Sequence, residues 1–450
     1  MWMRLVDWCS RRLLILLTSL ALAVYLFTYA TDRFGDPVRA DGLGYYAYLP
    51  SVLLYGDPSF GESAASPFGG AFPAWSGIRP YGDSGVYLDR YTMGVAVLAL
   101  PFFAAAHLVT LAARAMGVPV AADGYSFFYQ HGFGLSGLAY MVLGIAFLRR
   151  ILVRDVSPRA AFATVVVLLF GTNLFHYGSG ESTISHTYSF FLFAALMFQV
   201  PRWYAEPAGW RRSLLLGVTV GFIGLVRVPN LTVLILFLLY GIRFFADLRE
   251  RFELPVRRPR DVCAVIAGFG ITVLPQLLLW HFATGHWLVS GYAAQGEGFH
   301  FLHPEVMNVL FSFKKGALFW CPLLVLGVAG LPALKRQIPA WFWAVLAFLV
   351  VNVYVISSWW NWWFGGGFGH RAFIESYAVM ALPLAALFAE VRTRRQMVTL
   401  AVLCLLAVVW TQGLAALYYL RQIDYEGLDA QAVFDILWST KEALRGLLHP

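Results

Sequence analysis

The sequence predicts an all-α polytopic membrane protein, and three properties of the chain indicate this fold class. Hydrophobic residues make up 59% of the 450 residues and charged residues only 13%, whereas a soluble chain needs roughly 25% charged residues to cover its surface. The mean hydropathy is +0.66. The charges stand in short clusters between apolar runs of about 18–25 residues, which is long enough to cross a bilayer. These properties exclude a soluble globular domain, a disordered chain and a collagen-like repeat.

Eleven segments are expected to cross the membrane as helices, because each is long and apolar enough for a hydrocarbon core of about 30 Å. They are residues 11–30, 126–150, 159–178, 185–205, 212–228, 229–247, 261–283, 317–334, 339–358, 372–391 and 397–418. The apolar run of the first segment, Leu13 to Ala30, follows Arg4, Arg11 and Arg12. It lacks the A-x-A cleavage site of a signal peptide, so we expect the segment to remain as an uncleaved helix. We treat residues 1–450 as one transmembrane domain.

Basic residues set the orientation, because Lys and Arg concentrate in cytoplasmic loops. With the N-terminus inside, the basic clusters between helices all fall inside; they lie at 149–159, 202–212, 249–260, 335–336 and 392–395. The excess of 33 Lys and Arg over 25 Asp and Glu is therefore a topology signal and gives little support to nucleic-acid binding. Eleven crossings place a short C-terminal tail, 421–450, outside, with one amphipathic helix expected at 428–448.

The apolar segment 93–113 conflicts with this orientation, because a crossing there would move the 149–159 cluster to the outer face. We predict that it does not cross fully, since Pro101 and His107 fit a helix that lies shallowly or re-enters from the outer side. The alternative is that it crosses and another segment restores the parity. Function is expected on the outer side, in a large first loop at 31–125 and in the loops 176–185, 284–316 and 359–371.

Asp41 in the first outer loop is the best candidate for a catalytic group. It stands just outside the first span and begins a stretch, 43–55, whose apolar and aromatic residues suit an interfacial helix. Partial desolvation raises the pKa of such a carboxylate toward the range in which it can accept a proton from a hydroxyl. The alternative is that Asp41 caps the helix that follows it. The remaining acidic residues of the loop, including Asp89, are expected to be solvated.

A polar hairpin connects two consecutive spans at residues 171–186 and contains His176, Glu181 and His186. Ionisable side chains at a membrane exit are costly to bury unpaired, which indicates a polar cavity. Glu181 could hold a metal ion or orient a sugar, and His186 could donate to a phosphate. The alternative is that these residues cap two helix ends.

Four tryptophans lie beside a glycine-rich turn and a basic pair in the segment 357–371, which includes Trp360, His370 and Arg371. An aromatic belt at the membrane interface explains the tryptophans. The glycines let backbone N–H groups approach an anion, and Arg371 adds charge that suits a phosphate. The alternative is a snorkelling interfacial arginine.

Arg90, Arg227 and Lys315 are further cations on the predicted outer side, where the charge rule does not require positive residues. Each could contact a substrate, or only a loop or a lipid headgroup. The sequence contains no P-loop, no G-x-G-x-x-G before a helix, no G-x-S-x-G and no H-E-x-x-H motif. Energy must therefore come from a pre-activated substrate or from a gradient.

These motifs together resemble the GT-C superfamily of multi-pass glycosyltransferases, which take sugars from polyprenyl-phosphate carriers at the outer membrane face. The resemblance is carried by the stretch from Asp41 to Pro50, by Arg90-Tyr91 leading into Pro101, by the hairpin 171–186, by Lys315-Gly316 and by the segment 358–371. It extends over most of the chain and is similar to an uncharacterised bacterial branch with a mannosyltransferase-like or aminoarabinose-transferase-like fold. It implies a bundle of about eleven transmembrane helices, with interfacial helices in the first outer loop, in the bacterial inner membrane with the active site facing the periplasm.

The resemblance also implies roles for the candidate residues in an inverting transfer to an acceptor hydroxyl. Asp41 would be the catalytic base. The donor phosphate would be bound by Arg371, His370, Arg90, Lys315 and Arg227, and the sugar or acceptor would be positioned by Glu181, His186, His176, Tyr45 and Trp360. The partners would be a polyprenyl-phosphate-linked sugar, a glycan, lipid or protein acceptor and membrane lipids. A divalent cation, Mg²⁺ or Mn²⁺, stays open, because Asp41 is not part of a D-D or D-E pair.

A transporter or flippase of lipid-linked saccharides is the competing function, since it would also need outer cations and an apolar groove. Transporters place ionisable groups near the bilayer midplane in broken or repeated helices, whereas here the polar residues gather at one face. A structural scaffold is a third interpretation, and it gives no reason for the outer Asp, His and Arg residues.

Overall fold

The computed structural model describes residues 2–30, 35–65, 68–82, 85–205, 209–244, 247–424, 426–436 and 438, the first ten of them for the backbone alone. The helices are α1 Trp2–Ala30, α2 Asp41–Leu53, α3 Gly61–Ala65, α4 Gly94–Ala115, α5 Phe127–Asp155, α6 Pro158–Phe170, α7 Leu174–Ser179, α8 His186–Ala205, α9 Gly209–Val226, α10 Leu234–Leu239, α11 Leu248–Phe252, α12 Leu254–Arg257, α13 Pro259–Thr284, α14 Gly291–Ala294, α15 Val306–Phe311, α16 Ala317–Trp320, α17 Leu323–Ala329, α18 Leu331–Gln337, α19 Pro339–Ser357, α20 Tyr377–Ala389 and α21 Arg394–Tyr419. Short 3₁₀ helices lie at Ala74–Ser76, Val228–Val233 and Arg371–Phe373, and two three-residue strands, β1 Ile78–Pro80 and β2 Tyr87–Asp89, pair antiparallel.

The fold class is confirmed: the chain is an all-α polytopic membrane protein. Within the described ranges, seven helices are long and apolar enough to cross a membrane, namely α1 from Arg12, α4, α5, α9, α13, α19 and α21. Six of them coincide with predicted spans. Four of the other five predicted spans are shorter or interrupted helices, such as the segment 317–334, which is divided among α16, α17 and α18. The fifth, 185–205, is the continuous 20-residue helix α8, which is less apolar than the seven. The total number of crossings and the orientation stay predictions.

Three apolar helices are too short for a full crossing. α6 and α20 have 13 residues each and are roughly 20 Å long at 1.5 Å per residue, against a hydrocarbon core of about 30 Å. The apolar stretch Val228–Leu239 combines a 3₁₀ helix with α10 and reaches roughly 21 Å. One end of each short helix lies beside a basic residue or cluster on the predicted inner side. If the orientation is as predicted, the opposite end of each helix does not reach the outer face.

The three short helices meet at the ends that lie farther from the predicted inner side. The hydroxyl of Tyr377, at the start of α20, donates to Asn173, just after α6, at 2.7 Å. Arg227, just before the 3₁₀ helix, lies 3.7 Å from Glu375, just before α20. This meeting point forms a recess that the longer helices surround.

Close packing at glycines holds neighbouring segments of the bundle together. A Cβ on Gly217 of α9 would lie 2.0 Å from the carbonyl oxygen of Val265 on α13, and one on Gly137 of α5 would lie 1.7 Å from that of Ser182. Backbones approach this closely only where a side chain is missing, which is typical of membrane helices.

α2 is a helix, as predicted for 43–55, and it is packed inside the protein; its place at the membrane interface stays a prediction. Ten of its thirteen residues are buried. The hydroxyl of Tyr46 donates to the carbonyl of Gly124, and that of Tyr48 donates to the carbonyl of Tyr91 at 2.6 Å. Tyrosines can be buried in this way when each hydroxyl finds an acceptor, so an aromatic helix next to a membrane need not rest on its surface.

α4 corresponds to the segment 93–113 and runs antiparallel to α5. His107 contacts the hydroxyl of Tyr129 at 2.5 Å, and the Tyr140 hydroxyl donates to the carbonyl of Leu98 at 2.7 Å. The first residues of α4 thus lie beside the middle of α5. Its length and composition would suffice for a crossing, so the incomplete crossing stays a prediction. The predicted tail helix is helical at 430–436, and its remainder lies largely outside the described residues.

Candidate functional site

A cavity of about 1480 Å³ opens at the recess. Small-molecule sites measure about 300–1,000 Å³, so this cavity has room for two ligands or one long one. Its walls come from segments far apart in the sequence, at 39–45, 74–75, 90–92, 181–184, 226–232, 280, 289–301, 352–375 and 418–424.

Asp41 lies at the centre of an arginine pair. Its Oδ2 is 2.9 Å from Arg371 and its Oδ1 is 3.7 Å from Arg90. The capping interpretation is wrong, because Ala40 occupies the N-cap position and Asp41 is the first helical residue. Burial would raise the pKa of Asp41, but the guanidinium groups of Arg371 and Arg90 outweigh it and hold that pKa below its usual value. In this arrangement Asp41 is ionised and weakly basic.

Aromatic rings and a second carboxylate fix the position of Arg90. The guanidinium donates to Glu297 at 3.0 Å and to the hydroxyl of Tyr91 at 2.8 Å. It also lies over the rings of Tyr91 and Tyr292 at 5.0 and 5.6 Å. The predicted residue Tyr45 lines the cavity and packs on Tyr91, with 4.3 Å between ring centroids. Tyr45 therefore acts on Arg90 through Tyr91 as well as facing the cavity.

Asp89 is not the solvated loop charge that was expected. It ends β2 and is buried, with Oδ1 accepting a hydrogen bond from the backbone N–H of Tyr91 at 2.9 Å. Burial raises the pKa of Asp89 well above its usual value. Pairing of β1 with β2 draws the residue inward, and Asp89 does not line the cavity.

Glu181 lines a second polar part of the cavity. Its carboxylate lies 3.4 Å from Arg39, accepts a hydrogen bond from the Tyr418 hydroxyl at 3.1 Å and lies 3.5 Å from the His176 ring. Burial would raise the pKa of Glu181, but His176, Arg39 and Tyr418 lower it to about 2. Glu181 is thus a fixed anion that can accept hydrogen bonds from hydroxyl groups, and His176 supports it from behind the wall.

A buried triad holds Arg227. Glu375 is 2% exposed and contacts the His186 ring at 3.0 Å and the Arg227 guanidinium at 3.7 Å. Arg227 also lies 3.3 Å from the other nitrogen of His186 and 5.7 Å from the Phe364 ring. Arg227 and Glu375 line the cavity, whereas His186 lies behind it.

The glycine-rich turn takes positive φ angles at three glycines, and a buried lysine supports it. Gly365, Gly367 and Gly369 have φ values of +67°, +135° and +62°, which glycine adopts without strain. The Lys315 ammonium donates to the carbonyl of Gly367. Burial, together with the nearby Arg371, lowers the pKa of Lys315 to about 7.

His370 and Lys315 lie behind the cavity wall and do not face it as predicted for phosphate ligands. The His370 ring packs against Phe364 and Phe373 at 5.5 and 4.9 Å. Burial lowers the pKa of His370 to about 3, with a further contribution from Lys315, so the ring is neutral and supplies no positive charge. Both residues support the turn that carries Arg371.

The structure brings seven of the eleven predicted site residues to one cavity: Asp41, Tyr45, Arg90, Glu181, Arg227, Trp360 and Arg371. Trp360 is 42% exposed, and its backbone N–H donates to Gly298 at 3.0 Å. The sequence analysis missed cavity residues that include Arg39, Tyr292, Glu297, Glu375 and Tyr418. Only Glu375 carried a signal, because an acidic residue inside a predicted span indicates function by default.

The cavity is electrically neutral in formal charge. Five arginines and five carboxylates line it: Arg39, Arg90, Arg227, Arg371 and Arg421, with Asp41, Glu181, Glu297, Glu375 and Asp424. Among the described residues, no group of three His, Cys, Asp or Glu side chains is arranged to hold a metal ion. Both oxygens of Asp41 face guanidinium groups, which would repel a divalent cation. These residues therefore do not fit the Mg²⁺ or Mn²⁺ that the sequence left open.

Comparison with known proteins gives a distant structural likeness. No protein-family model and no curated protein matches the chain. Among solved structures, the archaeal oligosaccharyltransferase AglB from Archaeoglobus fulgidus, determined with an inhibitory peptide and a dolichol-phosphate, aligns at a TM-score of 0.47 and 12% identity. The alignment covers 94% of this chain and 57% of AglB, so the chain spans little more than half the length of that protein.

Proposed function

We propose that this protein is an inverting glycosyltransferase that moves a sugar from a polyprenyl-phosphate carrier to an acceptor hydroxyl at the outer membrane face. The observation that supports this best is the contact of Asp41 with Arg371 at 2.9 Å, inside a large cavity of a membrane protein. A carboxylate beside guanidinium groups supplies both groups that the reaction needs, a proton acceptor and a site for the leaving phosphate.

The donor phosphate is assigned to the arginines around Asp41. Arg371 and Arg90 converge on one point, and Arg227 is held nearby by Glu375. Guanidinium groups bind phosphate oxygens through two parallel hydrogen bonds, and they stabilise the charge that develops as the carrier leaves.

The lipid carrier is assigned to the apolar side of the cavity. This wall includes Leu231, Trp280, Phe299, Phe301 and Ile356. α13, which carries Trp280, has few buried residues and so presents apolar side chains to lipid. A polyprenyl tail can therefore leave the cavity without crossing a polar surface.

The acceptor is assigned to the polar part around Glu181 and Tyr418, with Trp360 at the rim. In the transfer, the acceptor oxygen forms a bond to the anomeric carbon while the bond from that carbon to the phosphate oxygen breaks. The electron pair leaves with polyprenyl phosphate, and the acceptor proton passes to Asp41. Attack from the face opposite the leaving group inverts the configuration.

A thermal-shift titration of the purified, detergent-solubilised protein with polyprenyl phosphate tests this function. We expect stabilisation of the wild type, since a ligand stabilises only the state it binds, by about 2.7 kcal/mol at a concentration of 100 times Kd. Arg371→Ala should lose most of this stabilisation. Arg336→Ala is the matched control, because that arginine is 61% exposed, pairs with Glu390 and lies outside the cavity.

Equal shifts for Arg371→Ala and Arg336→Ala would contradict the assignment of the phosphate site. Absence of any shift in the wild type would favour the transporter or scaffold interpretation. A transporter would move a labelled lipid-linked sugar across liposome membranes without cleaving the sugar from its carrier. That outcome would contradict the glycosyltransferase interpretation and favour the transporter.

A further inference from the structure

Four arginines of the cavity each contact a carboxylate. Arg39 pairs with Glu181, Arg227 with Glu375, Arg90 with Glu297, and Asp41 lies between Arg90 and Arg371. An incoming phosphate thus meets guanidinium groups whose charge is already compensated. It can take the place of one of the carboxylates, because an N–H group that donates to a carboxylate oxygen is not available to a phosphate oxygen at the same time.

The contacts decide which carboxylate can leave. Glu375 is 2% exposed and lies between His186 and Arg227, so its release would leave a buried charge unpaired. Glu181 is held by three side chains within 3.5 Å. Release of Glu297 would change the contacts of Arg90 alone. Asp41 is 18% exposed at its side chain, and its departure would remove the carboxylate beside Arg371 and one of the two carboxylates beside Arg90.

We propose that the donor phosphate takes the place of the Asp41 carboxylate on Arg371 and Arg90, and that this exchange makes Asp41 the base. The inference rests on the proposed function and adds an order to it: the donor binds first, and only then can the acceptor lose its proton. Asp41 thus occupies the position beside Arg371 and Arg90 that the phosphate takes.

Electrostatics supports a change in basicity on exchange. While Asp41 lies beside Arg371 and Arg90, their two guanidinium groups favour its ionised form. Once a phosphate compensates the charge of the two guanidinium groups, burial is the strongest remaining influence on the pKa of Asp41. Burial favours the protonated form of a carboxylate. The carboxylate therefore becomes a stronger proton acceptor only when the sugar to be transferred is present, which keeps the acceptor hydroxyl unactivated until then.

Affinity for polyprenyl phosphate tests the exchange. Asp41→Asn removes the competing charge while keeping the side-chain shape, so we expect it to bind polyprenyl phosphate about tenfold more tightly than the wild type while transfer is lost. Asp41→Glu keeps the competing charge and should bind within about twofold of the wild type. Asp41→Ser serves as a second neutral variant if Asp41→Asn does not fold, with the same expected gain.

The outcomes separate this inference from the proposed function. If the wild type binds polyprenyl phosphate and both neutral variants bind it equally or more weakly, the exchange is wrong and the phosphate site stands. If neither the wild type nor the variants bind it, the proposed function and the exchange both fail. Tighter binding by Asp41→Glu as well would also contradict the exchange, because that variant retains the carboxylate.

Discussion

Removal of Arg371 should destabilise the protein through the carboxylate that it leaves behind. The side chains of Arg371 and Asp41 are 15% and 18% exposed, so the pair is largely withdrawn from water. Breaking a buried pair by deleting one partner costs about 3–5 kcal/mol. Arg90 stays 3.7 Å from Asp41 and compensates part of the charge, so we expect Arg371→Ala to lower the free energy of unfolding by about 2–3 kcal/mol.

A double-mutant cycle measures whether this cost comes from Asp41. We expect Asp41→Asn, placed in the Arg371→Ala background, to add less than about 1 kcal/mol and to give a coupling of about 2 kcal/mol between the two positions. Unfolding in mixed micelles, followed by tryptophan fluorescence, provides the free energies. Additivity within about 0.5 kcal/mol would refute the reasoning, because residues in one ion pair should be coupled. The Arg336–Glu390 pair, with its arginine 61% exposed, is the control and should couple by less than about 1 kcal/mol.

Three further predictions follow from the site. Transfer should persist in excess chelator, because the cavity carboxylates face arginines and do not fit a divalent cation. The free energy of unfolding of the wild type, measured relative to Lys315→Met, should rise as the pH increases from about 7 to 10. Burial lowers the pKa of Lys315 to about 7 in the folded protein. Between that pH and the ordinary pKa of lysine, the unfolded state therefore binds more protons than the folded state. Gly44→Ala should destabilise by about 1–3 kcal/mol and reduce transfer, because its Cβ would lie 2.4 Å from the Tyr91 ring, whereas Gly413→Ala meets nothing within 4 Å and should be neutral or stabilising.

Each of these predictions has an outcome that contradicts it. Loss of transfer in chelator that added Mg²⁺ restores would show that the site does hold a cation. A difference between wild type and Lys315→Met that stays flat over this pH range would show that the lysine is protonated in the folded protein. Equal behaviour of the two glycine variants would show that Tyr91 can move aside and does not fix Arg90.

The fold class and the two central residues of the site, Asp41 and Arg371, could be predicted from the sequence because each leaves a local mark. Apolar runs of bilayer length predict helices directly. Asp41 and Arg371 are charges in segments where a membrane protein has little reason to place them, so each could be identified alone. Their contact could not be predicted, because the two residues lie 330 positions apart in the chain.

Burial accounts for most of what the sequence did not reveal. The aromatic pattern of 43–55 suits both a membrane surface and a protein interior, and only the acceptors at Gly124 and Tyr91 select the interior. His370 precedes Arg371 in the sequence and Lys315 is a cation on the predicted outer side, so both looked like ligands, although they support the glycine-rich turn from behind. Glu181 was expected, but its partners Arg39 and Tyr418 come from other segments and have no motif of their own.

Turnover of a lipid-linked sugar tests the central claim most directly. Membranes containing the protein would be incubated with labelled polyprenyl-phosphate sugars and a mixture of envelope acceptors, and release of polyprenyl phosphate would be followed by mass spectrometry. We predict release by the wild type and a loss of about 10²–10⁴-fold in Asp41→Asn. Release at the wild-type rate by Asp41→Asn, or none by the wild type with any donor, would contradict the account.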